Sequence, residues 1–211
     1  MTTATERIAR ARVVAVIRLE RYDQAVAVAT ALLEGGVSAL EFTLTGAGAL
    51  EAITATRAAL GDAALVGVGT VLDPAAAEAA VEAGAQFVVT PAVRPAVVAA
   101  CRARGVASLC GALTPTEVLT AHEAGADMIK IFPARAVGPH YLRDLLGPLP
   151  GLRLVPTGGI DASNARAYLD AGAVAVGIGG NLVAPRAVAQ ADWATIRAAA
   201  RACAEAVRVE T

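Results

Sequence analysis

Glu123-Ala-Gly-Ala-Asp-Met-Ile-Lys130-Ile-Phe-Pro133 reads as a junction between a helix and a strand. A helix ends, a Gly makes the turn, a short apolar strand follows, and Pro133 stops it. One charge, Lys130, stands in that strand between Ile129 and Ile131. A lysine is costly to bury unless a partner pairs with it or its chemistry needs a desolvated amine.

Outward from this stretch, the same plan recurs. Glu34-Gly-Gly-Val-Ser-Ala-Leu-Glu41-Phe-Thr, Glu82-Ala-Gly-Ala-Gln-Phe-Val-Val-Thr-Pro91 and Asp170-Ala-Gly-Ala-Val-Ala-Val-Gly177 are further copies, and Arg104-Gly-Val-Ala-Ser-Leu-Cys110 is a weaker one. The repeat marks junctions and carries no chemistry. Filling in between predicts strands at Val13 to Arg18, Ala39 to Thr43, Leu65 to Gly69, Phe87 to Thr90, Ala107 to Cys110, Met128 to Ile131, Leu152 to Pro156 and Ala173 to Ile178. Helical patterns separate them at Tyr22 to Leu33, Ala47 to Leu60, Pro74 to Ala83, Pro95 to Arg104, Pro115 to Ala124, Tyr141 to Leu146 and Ser163 to Asp170. Asp73-Pro74 and Thr114-Pro115-Thr-Glu117 are helix starts, with a cap residue before Pro and, in the second, a capping-box Glu. A short N-terminal helical segment precedes the first strand, and an Ala-rich helix from Asp192 to Val207 follows the last.

Alternating strands and helices without a domain-sized break predict an α/β fold, a (β/α)8 TIM barrel forming one domain over residues 1–211. An open Rossmann-like sheet is the alternative. The glycine clusters weigh against it, because Gly67-Val-Gly69-Thr and Gly177-Ile-Gly-Gly180 follow the third and eighth strands rather than the first.

Composition agrees. Apolar residues make up 56% of the 211 positions, much of it Ala and Val, while aromatics are 3%. Small side chains suit helices laid closely on a parallel sheet. A net charge of −1 gives no reason to expect nucleic acid or a membrane surface as partner. The N-terminus lacks the pattern of a signal peptide, and charges and glycines interrupt every apolar run before 18 residues. Cys101, Cys110 and Cys203 are odd in number and scattered, which suits a reducing cytoplasm.

In a barrel, functional groups collect at the C-terminal ends of the strands. Those ends carry Arg18, Glu41 with Thr43 and Thr45, Thr70, Thr90-Pro91, Cys110-Gly111, Lys130 with Phe132, Thr157-Gly158-Gly159, and Gly179-Gly180-Asn181. Strand alternation puts Met128, Lys130 and Phe132 on one face and the two isoleucines on the other, which meets helices. Lys130 therefore points inward, and the same parity turns Ala39, Glu41 and Thr43 inward. A structural ion pair between Lys130 and Glu41 is the bland account. The sharper one makes Lys130 a Schiff-base nucleophile and Glu41 its proton-transfer partner. Thr157-Gly158-Gly159 and Gly179-Gly180-Asn181 follow the seventh and eighth strands, between which barrels commonly hold phosphate on backbone N–H groups. His122 and His140 show no metal-ligand spacing, so no metal and no cofactor are expected.

At these residues the chain resembles the 2-keto-3-deoxy-6-phosphogluconate / 4-hydroxy-2-oxoglutarate aldolase family, class I Schiff-base aldolases on a trimeric (β/α)8 barrel. The resemblance runs nearly end to end. It rests on Val-Ile-Arg18, Leu-Glu41-Phe-Thr-Leu, Gly-Val-Gly-Thr70-Val-Leu, Phe-Val-Val-Thr-Pro91, Lys130-Ile-Phe-Pro-Ala, Pro-Thr157-Gly-Gly-Ile and Gly-Ile-Gly-Gly180. It implies that Lys130 forms the Schiff base and Glu41 is the general acid/base. Thr70 then lies near the pyruvate carboxylate, Pro91 and Phe132 form pocket walls, and Thr157, Gly158, Gly159, Gly179 and Gly180 grip phosphate. Two positions depart from the pattern. Thr45 stands where some members carry a carboxylate-binding Arg, leaving Arg18 for an anion-binding role, and Asn181 stands where some have Ser. The resemblance further implies a keto-acid substrate cleaved to pyruvate and an aldehyde, and a cytoplasmic homotrimer. A phosphosugar epimerase or isomerase on the same barrel, and a non-catalytic sugar-acid binding protein, are the other readings. Neither requires a buried lysine.

Overall fold

In a computed structural model, which describes residues 2–208, the strands are β1 (Val13–Ile17), β2 (Ala39–Thr43), β3 (Leu65–Gly69), β4 (Phe87–Val89), β5 (Ala107–Ala112), β6 (Met128–Ile131), β7 (Leu154–Pro156) and β8 (Val176–Ile178). They lie in the order β7-β6-β5-β4-β3-β2-β1-β8, and every pairing is parallel. A bridge between Thr157 and Gly177, with Val174 N–H donating to Leu154 O at 3.0 Å, joins the two ends into a barrel. Neighbouring strands are consecutive in sequence, so the strand order never reverses as it does in a Rossmann-like sheet.

The helices are α1 (Ala4–Ala11), α2 (Ala25–Glu34), α3 (Ala49–Leu60), α4 (Pro74–Glu82), α5 (Pro95–Ala103), α6 (Pro115–Glu123), α7 (His140–Leu146), α8 (Ala165–Asp170), α9 (Pro185–Ala189) and α10 (Trp193–Ala206). The repeated junction works through one backbone conformation. Gly36, Gly84, Gly125 and Gly172 have φ of +95°, +105°, +88° and +103°, where a side chain would be strained. Asp73 caps α4 by accepting the Ala76 N–H at 2.9 Å, and Thr114 and Glu117 form a reciprocal capping box on α6.

Several boundaries differ from the pattern-based expectation. The ladder of β7 starts at Leu154 rather than Leu152, and that of β8 at Val176 rather than Ala173. Apolarity there begins in the junction, where Ala173 N–H still bonds the Tyr168 carbonyl of α8 at 3.1 Å. Tyr22 does not start α2. Its hydroxyl lies 2.8 Å from the carbonyl oxygens of Ile17 and Thr43 and accepts the Thr43 N–H at 3.1 Å, tying β1 to β2. Ala47 likewise stays outside α3, bonding Glu20 O at 2.9 Å and accepting from Tyr22 N–H at 3.2 Å. The five-residue α9 has no counterpart in the expectation.

Strand alternation divides two cores. Outward residues such as Ala15, Leu40, Val66, Ile129, Ile131 and Ile178 pack under the helices. Inward residues Val14, Ala39, Leu65, Phe87, Leu109, Met128, Val155 and Ala175 fill the barrel, and Ile8 of α1 closes its floor with no exposed surface.

Candidate active site

In a ring of eight strands, β2 and β6 stand opposite one another. Glu41 and Lys130 sit one inward position above Ala39 and Met128, directly over the apolar filling. Their side chains meet across the barrel, with Lys130 Nζ 3.6 Å from Glu41 Oε1, and the residues are 4% and 2% exposed. Glu41 Oε1 is buried without a hydrogen-bond partner. Buried acceptors are normally satisfied, so an orphaned carboxylate oxygen calls for an explanation. Lys130 Nζ also lies 5.4 Å from the centroid of the Phe132 ring.

Glycine makes this crossing possible. Lys130 is in register with Gly111 on one side, and Glu41 with Gly67. A Cβ placed on Gly69 would overlap the Glu41 carboxylate, and one on Gly177 would overlap the Thr157 hydroxyl. On Gly67 it would lie 2.5 Å from the Phe87 ring. In the sequence, Gly67 and Gly69 speak against a dinucleotide fold and form part of the Gly-Val-Gly-Thr70 motif. Their use as clearance is visible only once the facing strands are known.

The other expected residues surround this centre at different depths. Thr70 has φ +59°, a left-handed conformation that is strained for a β-branched residue and recurs at functional sites. Pro91 is half-buried. Thr90 holds its loop in place, donating to Ala92 O at 2.7 Å and accepting the Gly111 N–H at 3.0 Å. Phe132 is half-buried, its ring edge 3.3 Å from where a Gly158 Cβ would stand. Thr157 is buried against Gly177, its hydroxyl 3.4 Å from Val155 O.

The two glycine loops are joined. Gly158 and Gly159 have φ of +97° and +79°, and Gly159 is pressed under the Arg135 side chain. Asn181, after β8, donates through Nδ2 to Ile160 O of the β7 loop at 3.2 Å. No backbone carbonyl among the described residues accepts the N–H groups of Gly158, Gly159, Gly180 or Asn181. Gly179 instead supplies its carbonyl to Leu182 and Val183 at 2.8 and 2.9 Å. These loops therefore present unused donors, the requirement for an anion site.

Arg18 and Thr45 lie further out. Both are exposed and line a cleft of about 670 Å³ with Gln24 and Arg186, to which neither Lys130 nor Glu41 contributes. Thr45 Oγ1 is 2.8 Å from Thr43 Oγ1. His122 and His140 are exposed, the latter opening α7. Among the described residues no group of three or more His, Cys, Asp or Glu is gathered for a metal. Burial pushes the Cys101 thiol up to about 11, with the Asp127 charge adding to it, so this thiol is no competing nucleophile.

Comparison with known proteins agrees with this geometry. The family model described as KDPG and KHG aldolase matches residues 4–199. The 2-dehydro-3-deoxy-phosphogluconate aldolase of Treponema pallidum (strain Nichols) is 39% identical over 199 residues, covering 94% of either chain. The KHG/KDPG aldolase of Escherichia coli (strain K12) is 34% identical over 210 residues, 99% of this chain and 98% of that one. The structure of KDPG aldolase from Legionella pneumophila, with pyruvate captured at low pH as a covalent carbinolamine intermediate, superposes with a TM-score of 0.88 at 28% identity, covering 96% and 98%. A buried lysine facing a buried carboxylate at the mouth of a (β/α)8 barrel, and a match over nearly the whole chain, place this protein in the KDPG and KHG aldolase family.

Proposed function

We propose that this protein cleaves a 2-keto-3-deoxy sugar acid to pyruvate and an aldehyde through a Schiff base on Lys130. The preferred substrate is the 6-phosphogluconate derivative, which gives glyceraldehyde 3-phosphate, with 4-hydroxy-2-oxoglutarate as a second substrate. The observation that carries the reading is the Lys130–Glu41 pair, 3.6 Å apart, with an unpartnered carboxylate oxygen in a glycine-lined space. The carbinolamine held by the Legionella pneumophila relative shows the corresponding chemistry in that protein.

Lys130 attacks the C2 ketone, and loss of water leaves an iminium that accepts electrons. Glu41, directly or through a water, takes the C4 hydroxyl proton. The C3–C4 bond then breaks, the aldehyde leaves, and its bonding electrons form an enamine. Protonation at C3 and hydrolysis release pyruvate and the free amine. Glu41 Oε1 has no other hydrogen bond to give up when it accepts that proton. Thr70 borders the pyruvate carboxylate, and Pro91 and Phe132 wall the pocket. The N–H donors around Gly158, Gly159, Gly180 and Asn181, with Thr157 and Gly179 shaping the loops, hold the distal phosphate. Arg18 and Thr45 act at the rim on the anionic end of the substrate. Binding energy from this remote group aligns the scissile bond.

Borohydride reduction in the presence of pyruvate tests the reading. A stable adduct mapped to the Lys130 peptide is the expected result, and active protein that yields no adduct sinks it. A phosphosugar epimerase or isomerase would leave Lys130 dispensable and the adduct absent.

The barrel acts as one unit in a cytoplasmic homotrimer. Leu72 follows the strained Thr70 and is 50% exposed, an apolar side chain at the catalytic face that a second copy would cover. Sedimentation equilibrium at three times the chain mass is the expected result.

A further inference from the structure

The opposite end of the barrel carries a concentration of charge that cleavage does not use. Where α1 enters β1 and α10 ends, a cleft of about 500 Å³ is lined by Arg7, Arg10, Arg12 and Arg208, with Ser38 and Ala204 between them. No carboxylate among the described residues lines it. This runs against the composition, since the whole chain has a net charge of −1. Glu6, Asp62, Glu34 and Glu205 on the neighbouring elements do not line it. Glu6 accepts the Thr3 N–H at 2.8 Å in the α1 cap, Asp62 lies 3.9 Å from Arg57, and Glu34 pairs with Arg197.

Two of the four guanidiniums are fixed in position. Arg7 donates to Asp62 O at 2.8 Å, and Arg12 donates to Val207 O at 3.2 Å. Arg12 also holds a left-handed backbone, φ +58°, where Gly or Asn would sit with less strain. The chain therefore keeps a cationic side chain at this point despite its backbone cost. The Arg10 and Arg208 side chains donate no hydrogen bond among the described residues and stand exposed across the same cleft. Like charges held around one concavity repel, and an anion seated among them removes that repulsion. Guanidinium forks match phosphate oxygens in pairs, and a cleft of this size suits a small molecule.

We propose that this cleft binds a multiply charged, phosphate-bearing small molecule, at a site separate from the catalytic mouth and independent of the aldolase reading. Bound there, the anion clamps α1, whose Ile8 closes the barrel floor, and so stabilises the fold by mass action.

Isothermal titration of the full chain with pyrophosphate, inorganic phosphate and ATP at physiological ionic strength tests this. The comparison protein carries Arg10→Ala and Arg208→Ala together, two side chains without structural hydrogen bonds. Phosphate held at the catalytic mouth is common to both proteins and cancels. The expected result is one further equivalent of pyrophosphate or ATP bound by the unmodified chain, weakened at least about tenfold in the variant, with a pyrophosphate-dependent rise in melting temperature in the unmodified chain alone. Whether pyrophosphate or ATP binds more tightly separates a bare polyphosphate from a nucleotide as the source of the group. Equal stoichiometry and affinity in the two proteins for all three probes would overturn the proposal. A far-ultraviolet circular dichroism spectrum that matches the unmodified chain reports that the variant is folded. Should the double variant fail that control, Arg208→Glu alone is expected to lose the same equivalent.

Discussion

The lower and upper halves of the barrel interior are built on the same strands with the same alternation, yet they do opposite things. Below, Leu65, Phe87, Leu109, Met128 and Ile8 fill the space with side chains almost wholly excluded from water. Above, Gly69 and Gly177 leave room for the Glu41 and Thr157 side chains, and Lys130 and Glu41 cross the space. An inward position becomes core or site according to the size of its neighbours. The lower half supplies the stability that lets the upper half hold a buried pair with an unsatisfied oxygen, which is a poor stabilising element by itself.

Exchanging a residue in either half should therefore damage different properties. The largest effect is expected from Lys130→Met, which should abolish the borohydride-trapped adduct and lower cleavage by on the order of 10⁴-fold or more. Its circular dichroism spectrum should remain that of the unmodified protein, and loss of fold would break the distinction between the halves. Next is Ile8→Ala in the floor. It should cost about 2–5 kcal/mol in denaturant unfolding while pyruvate trapping on the folded fraction continues. A smaller change in the upper half, Gly69→Ala, displaces the Glu41 carboxylate. It should reduce kcat by roughly 10²-fold with little change in melting temperature, and an unchanged kcat would remove the clearance role given to this glycine.

The smallest effect lies outside both layers. The Glu117 carboxylate is held below its ordinary range by the Thr114 and Leu113 backbone N–H groups. Because its folded pKa is depressed, its contribution is fully present above the ordinary value of 4.5 and is lost as pH falls through the folded value. Glu117→Gln keeps a side-chain acceptor for the cap and loses the charge, so in this exposed setting it should cost no more than about 0.5 kcal/mol at neutral pH. The gap to the unmodified chain should narrow below pH 4.5, when both are measured by urea unfolding across that range.

Much of this was legible in the chain because the signals are local. The Gly of each junction declares a left-handed turn, Asp73 and Thr114 declare helix starts, and a lone Lys130 between isoleucines declares an inward charge. Other features were hidden because they depend on neighbours distant in sequence. Tyr22 matches the apolar face of a helix, but its hydroxyl is taken by the backbones of β1 and β2. The Asn181 side-chain amide ties one glycine loop to the other, across 21 residues of sequence. Arg18 and Thr45 stand at strand ends like the rest, and only the folded chain sets them at the rim with Arg186.

Alternation and glycine spacing by themselves determined the barrel, the inward faces of Lys130 and Glu41, and the two loops suited to phosphate, since each follows from backbone geometry over a few residues. The 3.6 Å approach of amine to carboxylate, the clearance at Gly69 and Gly177, and the four arginines gathered beneath the barrel were decided by the tertiary structure. They arise from closing eight strands into a ring, which sets β2 opposite β6 and folds α1 against α10, and no local stretch of sequence encodes which distant residues will meet there.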